Sequence, residues 1–236
     1  MVGGDELAPG NEPQDRILVD AAGDGAGYIL ATAAARHAPE RAVANARRWF
    51  AGLGLTVAGL PATTRREVAS REDVEAARAG RFFYLVGGDP GIVPDILGGS
   101  PLWDAVVAAW EEGAALAGSS AGAMALGAWT LIRDRHPGDV RRRFKPALGL
   151  VPDVAVIPHF DTFGHRWVEG ALASAPEPDA VLIGIDERTA VVAREGRWEV
   201  LGPGSVTVFQ QGQLRRFPSG SIIEGLPAPV VPTPGA

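Results

Sequence analysis

Leu116-Ala-Gly-Ser-Ser-Ala-Gly-Ala-Met124 is the stretch on which the reading of this chain turns. Inside it, Gly118-Ser119-Ser120-Ala121-Gly122 fits the pattern G-x-S-x-G. A short apolar run, Ala114 to Ala117, precedes the pattern, and a small-residue stretch with helical propensity, Ala121 to Trp129, follows it. Strand, sharp turn and helix in that order make a nucleophile elbow, where a strained backbone projects the central serine hydroxyl. Strand and helix backbones approach closely in such a turn, so its flanking residues must be small, as Gly118, Ala121 and Gly122 are. Free N–H groups at the start of the helix suit a developing oxyanion. The same residues also suit a turn that merely packs a helix on a sheet. Ser119 is not the serine that the pattern selects.

Composition bounds the rest. The 236 residues are 46% hydrophobic and 21% charged, which is enough apolar content for a full core. One α/β hydrolytic domain over residues 1–226 and a Pro-rich tail over 227–236 is the expected organisation. A net charge of −6 argues against a general nucleic-acid surface. There is no cysteine, hence no disulfide, thiolate metal site or cysteine nucleophile. No apolar run approaches the ~18 residues of a membrane span. Met1-Val-Gly-Gly-Asp-Glu6 lacks the look of a signal peptide. A cytoplasmic protein without a membrane partner is therefore expected.

Along the chain, Val2-Gly3-Gly4 reads as the end of a very short strand and Asp5 to Gln14 as loop. Arg16 to Ala22 reads as a strand entering Gly23-Asp-Gly-Ala-Gly27, whose glycine spacing is wrong for a dinucleotide turn. Pro39 to Gly52 is an amphipathic helix with Val43, Ala46, Trp49 and Phe50 on one face. Leu55 to Ala58 is a strand, and Ser70 caps a helix running to Ala79. Arg81 to Val86 is a strongly β run that ends at Gly87-Gly88-Asp89. Ser100-Pro101 opens a helix, and Val154 to Ile157 is a strand followed by His159 and a helix from His165 to Ala173. This alternation implies a three-layer sandwich with a mostly parallel central sheet. From Val181 onward, short strands separated by tight turns imply added antiparallel strands. Val2-Gly-Gly-Asp5 echoes Val86-Gly-Gly-Asp89.

Sites in parallel α/β sheets form outside the carboxyl ends of the strands. Gly87-Gly88-Asp89, Ser120, His159 and Asp186-Glu187 all follow strands and would share one edge. A serine hydroxyl needs a neighbouring base, and of the four histidines His159 is placed at a strand end. The base needs a carboxylate to fix its tautomer, with Glu187 the first choice and Asp134 the alternative. The oxyanion hole would combine the Ala121 N–H with that of Gly88 or Asp89. His159, Asp161 and His165 are spaced too loosely for a zinc motif, so no metal is expected. Arg141, Arg142, Arg143 and Lys145 read as a solvated loop; they or Arg166 could meet a substrate carboxylate.

Taken together, these segments resemble the dipeptidase E and cyanophycinase family of serine peptidases, whose fold is like that of class I glutamine amidotransferases. Tyr84-Leu-Val-Gly-Gly-Asp89 is similar to the family's oxyanion-side turn, Gly118 to Ala123 to its elbow, and Pro158-His-Phe160 to its histidine motif. Gly184 to Val192, Trp198 to Gly202 and Ser205 to Val208 resemble the C-terminal half of cyanophycinases. The resemblance implies Ser120 as nucleophile, His159 as base and Glu187 as third member, with Asp134 the counterpart of the acid assigned in dipeptidase E. It also implies a small-peptide substrate met by Asp89 and Arg166, no cofactor, and often a homodimer. Pro90 stands where cyanophycinases carry Gln, Ile157-Pro158 where they carry Asp-Gln, and Arg166 alone where they carry several arginines. Those departures lean toward dipeptidase E, which cleaves after an N-terminal aspartate.

Overall fold

The computed structural model describes residues 1–133, 142–177 and 179–232. Asp134, His136, Arg141 and the last four residues of the tail lie outside the described residues. The first element is a helix, α1 (Glu12–Ala22), where a strand was expected from Arg16. A proline and the acidic Glu12 and Asp15 in its first turn favour a helix start. Its inward residues Gln14, Leu18 and Ala22 recur at helical spacing, so the Ile17-Leu-Val19 run is a helix face rather than a strand. β1 (Gly27–Leu30) follows. Gly23 and Gly25 therefore link helix to strand, the reverse of a dinucleotide turn.

Next come α2 (Pro39–Gly52), β2 (Val57–Leu60), α3 (Arg71–Arg78), β3 (Phe82–Leu85), α4 (Ile92–Leu97), α5 (Pro101–Glu111), β4 (Ala115–Gly118) and α6 (Ala121–Leu126). Ser70 Oγ accepts the Asp73 N–H at 3.4 Å, and Ser100 Oγ accepts the Trp103 N–H at 3.1 Å, so both expected caps form. The four strands pair in the order β2-β1-β3-β4, all parallel. Successive β3 side chains enter different cores. Phe83 and Leu85 pack with α3 and α5, while Phe82 and Tyr84 pack with Phe50 of α2 and Ala22 of α1. Burial on both faces explains the unbroken apolar run in the sequence and builds the three layers.

β5 (Gly127–Arg133) begins directly after α6, so the helix stops short of the expected Trp129. Pairing with the rest of the sheet overrides local helical propensity there. β6 (Arg142–Pro146) turns the expected arginine loop into a strand paired with β5, Phe144 lying opposite Leu131. Lys145 is not loose either: its ammonium lies 2.6 Å from Asp95 Oδ1 and donates to Gly91 O at 2.7 Å. β7 (Val151–Ile157), a short turn of 3₁₀ helix at Gly164–Trp167, α7 (Val168–Ala173) and β8 (Val181–Ile185) follow. β9 (Ala190–Arg194), β10 (Arg197–Leu201), β11 (Ser205–Gln210), β12 (Gln213–Pro218) and β13 (Ile222–Ile223) complete the chain.

The second sheet has the order β12-β11-β8-β7-β5-β6, with β5, β7 and β8 parallel and the other three strands antiparallel. β13-β10-β9 form an antiparallel sheet. The N-terminal segment joins these pieces. Val2 bridges Ser119 on one side and Ala190 on the other, and donates its N–H to Gly118 O at 2.9 Å. The tail is tied down as far as it is described: Trp198 Nε1 donates to Pro227 O, and Val230 N–H to Leu150 O. Among the described residues, no helix is long and apolar enough to cross a membrane.

Candidate active site

Ser120 sits between β4 and α6 with φ 50° and ψ −115°, the strained backbone that an elbow demands. A Cβ on Gly122 would lie 2.2 Å from Leu85 O, and one on Gly118 2.5 Å from Gly122 C, so helix and strand meet at bare backbone. Ser120 N–H donates to Val2 O at 3.0 Å, which fixes the turn to the N-terminal segment.

His159 follows β7 through Pro158 and also has a positive φ, 51°. Its N–H donates to Gly3 O at 2.7 Å. Its carbonyl accepts the N–H groups of Thr162, Phe163 and Gly164, a knot that turns the chain sharply at the sheet edge. The imidazole is confined from three sides. Phe163 stacks on it with ring centroids 4.8 Å apart and an interplanar angle of 20°. Gly4 lies so close that a Cβ there would be 2.2 Å from the ring Cε1. Glu187, at the end of β8, closes the third side.

The three side chains form one hydrogen-bonded line. Ser120 Oγ is 3.0 Å from His159 Nε2, and His159 Nδ1 is 2.7 Å from Glu187 Oε1. An ionised carboxylate only accepts, so Nδ1 carries the proton and Nε2 is left to accept from Ser120. Both His159 and Glu187 keep about a fifth to a quarter of their side-chain surface in solvent, 20% and 24%. Glu187 is itself held: its N–H donates to Asp161 Oδ1 at 2.9 Å, and Thr162 Oγ1 donates to its Oε1 at 3.3 Å. Asp161 thus orients the acid, and His165 faces Phe160 O at 3.1 Å rather than sharing a ligand set with His159. The adjacent Asp186 is buried, and desolvation pushes its carboxyl above the usual range despite the Ser205 N–H at 2.9 Å.

The remaining candidates divide. Asp89 N–H is taken by Ala33 O at 2.8 Å, which leaves Gly88 as the choice on that turn. Among the described residues, neither Gly88 N–H nor Ala121 N–H donates to a protein acceptor. Gly88 has φ +146°, and a Cβ there would meet Ala33 O at 2.2 Å, so only glycine fits. The Asp89 carboxylate accepts from Gly91 N–H at 2.9 Å and lies 3.7 Å from Arg36. Arg166 is exposed on the short turn after Phe163. Neither joins the line from Ser120 to Glu187. A groove of ≈ 410 Å³ adjoins Gly87 and is lined by Glu6, Asn45, Arg48 and Trp49. A larger cavity, ≈ 900 Å³, lies around Gly23, Arg47 and Thr56 at the amino ends of β1 and β2, the wrong edge of the sheet for this chemistry.

Gly4, Glu6, Thr162 and Phe163 are not singled out by the sequence reading, and Asp161 is weighed there only as a metal ligand. The echo of Val2-Gly-Gly-Asp5 in Val86-Gly-Gly-Asp89 was the one available signal, because both copies border the site.

Comparison with known proteins gives the family. The profile of peptidase family S51 matches residues 11–201. A cyanophycinase from Nostoc sp. is 31% identical over 206 residues, covering 84% of this chain and 68% of that protein. The crystal structure of a peptidase from an acI-B1 actinobacterium is 29% identical with a TM-score of 0.82, covering 94% of both chains. A Peptidase E protein from Listeria monocytogenes EGD-e shares the fold, with a TM-score of 0.55 at 16% identity over 87% of this chain and 92% of that one. The chain belongs to peptidase family S51, serine peptidases of the dipeptidase E and cyanophycinase type.

Proposed function

We propose that this peptidase hydrolyses short peptides carrying an N-terminal aspartate, through a triad of Ser120, His159 and Glu187. The observation that carries the reading is the continuous line Oγ–Nε2, 3.0 Å, and Nδ1–Oε1, 2.7 Å. Ser120 Oγ attacks the scissile carbonyl carbon while His159 Nε2 takes its proton. Glu187 keeps Nδ1 protonated and stabilises the imidazolium that forms. The negative oxygen is held by the N–H groups of Gly88 and Ala121. When the C–N bond breaks, His159 returns the proton to the leaving amine. A water, deprotonated by His159, then releases the acyl group and restores Ser120.

Arg166, exposed on the turn that follows Phe163, and Asp89, next to Gly88, are the groups proposed to meet the substrate's charged ends. A second reading is favoured by the Nostoc relative, whose name is cyanophycinase: cleavage of β-linked aspartyl peptides at the same site. One panel separates the two. Purified protein is offered Asp-Xaa dipeptides and β-Asp-Arg, with Ser120→Ala as control. Preferential turnover of α-linked Asp-Xaa, abolished in the control, is the expected result; preference for β-Asp-Arg selects the second reading, and undiminished turnover by Ser120→Ala overturns both.

A further inference from the structure

The two Val-Gly-Gly-Asp segments flank the site, and Glu6, the residue after the first, reaches the second. Its Oε1 accepts the Gly87 N–H at 3.1 Å, and its Oε2 accepts the Ser119 hydroxyl at 2.9 Å. Gly87 immediately precedes Gly88, and Ser119 immediately precedes Ser120. One carboxylate thus ties the turn that carries one oxyanion donor to the elbow that carries the nucleophile and the other. Ser119 is fully buried while Glu6 and Gly87 are half-buried, so the tie is shielded from water at its Ser119 end.

Gly87 and Gly88 have no side chains with which to hold their own peptide planes. The plane between them needs anchors from elsewhere. On the far side, Asp89 N–H is anchored by Ala33 O at 2.8 Å. On the near side, Glu6 is the anchor. It also occupies the Gly87 N–H, so that the Gly88 N–H is the donor left for a substrate oxygen. A negative charge so near a developing oxyanion opposes it, so the benefit of Glu6 must lie in geometry rather than in charge.

We propose that Glu6 is a positioning residue that fixes the oxyanion hole, resting on the reading of Ser120, Gly88 and Ala121 given above. Such a residue acts on the transition state and not on ground-state binding. Glu6→Ala is therefore expected to lower kcat about 10- to 100-fold with KM little changed. Its affinity for a peptide aldehyde, which forms a tetrahedral adduct with the serine, should fall in step with kcat/KM. Glu6→Gln, which keeps an acceptor for Gly87 and can donate to Ser119, should restore kcat to within about threefold of the parent.

Ser119→Ala removes one of the two anchors and serves if Glu6→Ala does not fold. It should lower kcat by a smaller factor, and the pair Glu6→Ala/Ser119→Ala should be no worse than Glu6→Ala alone. A raised KM with unchanged kcat in both Glu6 variants would mean that Glu6 touches substrate, and would overturn the proposal. So would undiminished kcat in Glu6→Ala and Ser119→Ala, or failure of Glu6→Gln to rescue. If Ser120→Ala abolishes turnover while the Glu6 variants are silent, this inference alone falls; turnover by Ser120→Ala removes the reading beneath it.

Discussion

The half of the candidate site at the ends of β3 and β4 is made largely of backbone, whereas the half at the ends of β7 and β8 is made of side chains. Around Ser120 the proposed oxyanion donors are N–H groups, set among close contacts of main chain on main chain, Gly122 against Leu85 O and Gly88 against Ala33 O, with the Glu6 carboxylate as the added side-chain anchor. Around His159 the placement comes from Glu187, Asp161, Thr162 and Phe163, each partly in solvent. The two halves stand on different sheets, and the segment Val2 to Gly4 runs between them, bonded to Gly118 and Ser120 on one side and to His159, Arg188 and Thr189 on the other. A site divided in this way has little room for change where backbone does the placing. It can be graded where side chains do.

Substitutions can break that contrast in order of size. Glu187→Gln should be the most severe, because an amide can present its N–H to Nδ1 and reverse the tautomer; kcat should fall about 10⁴-fold. Asp134→Asn, measured alongside, should leave kcat/KM within about threefold, since Glu187 already occupies Nδ1. A large loss in Asp134→Asn with little in Glu187→Gln would give the acid's role to Asp134. Gly4→Ala comes next. Its Cβ would strike the imidazole and its φ of +121° suits only glycine, so kcat should fall about 100-fold while Ser120 stays in place. Phe163→Ala removes only the stacked ring, worth about 1 kcal/mol, and should cost about fivefold in kcat/KM.

The last effect concerns stability rather than turnover. Asp15 is buried, with Trp49 Nε1 donating to its Oδ2 at 2.7 Å, and desolvation pushes its carboxyl from 3.8 up to about 7. The Trp49 bond and the amino group of Met1 pull the value back, while Glu12 and Glu6 push it further. Between those two pH values the folded chain holds a proton on Asp15 that the unfolded chain has lost. The contribution of Asp15 is therefore full below pH 3.8 and is lost as pH rises toward about 7, at up to about 1.4 kcal/mol per unit. Asp15→Asn keeps the Trp49 bond without the titration. Its stability relative to the parent, read from urea midpoints, should rise steadily from pH 4 to pH 7; a flat difference would contradict this account of Asp15.

The contrast also explains what could be read from the sequence. Gly118 to Gly122, Gly87-Gly88 and Pro158-His159 are local patterns at strand ends, and local patterns survive in one dimension. Pro39 to Gly52 was legible for the same reason: its apolar face repeats at helical spacing. Ile17-Leu-Val19 was not, because three apolar residues in a row suit a strand or one turn of helix equally, and α1 is decided by packing on Phe82 and Tyr84. β6 was hidden because its charged residues form a strand only through pairing with β5. Glu6 was invisible for a stronger reason. Its partners lie 81 and 113 residues away, and apart from the repeated Val-Gly-Gly-Asp just before it nothing near it in the chain announces them.

The most direct test of the triad is a double-mutant comparison of kcat/KM on the best Asp-Xaa dipeptide, using Ser120→Ala, His159→Ala and both together. Residues that act as one unit give losses that do not multiply, so each single variant should lose about 10⁴-fold or more and the double variant should be no worse. Losses that multiply, or a single variant that retains turnover near the parent's, would contradict the account.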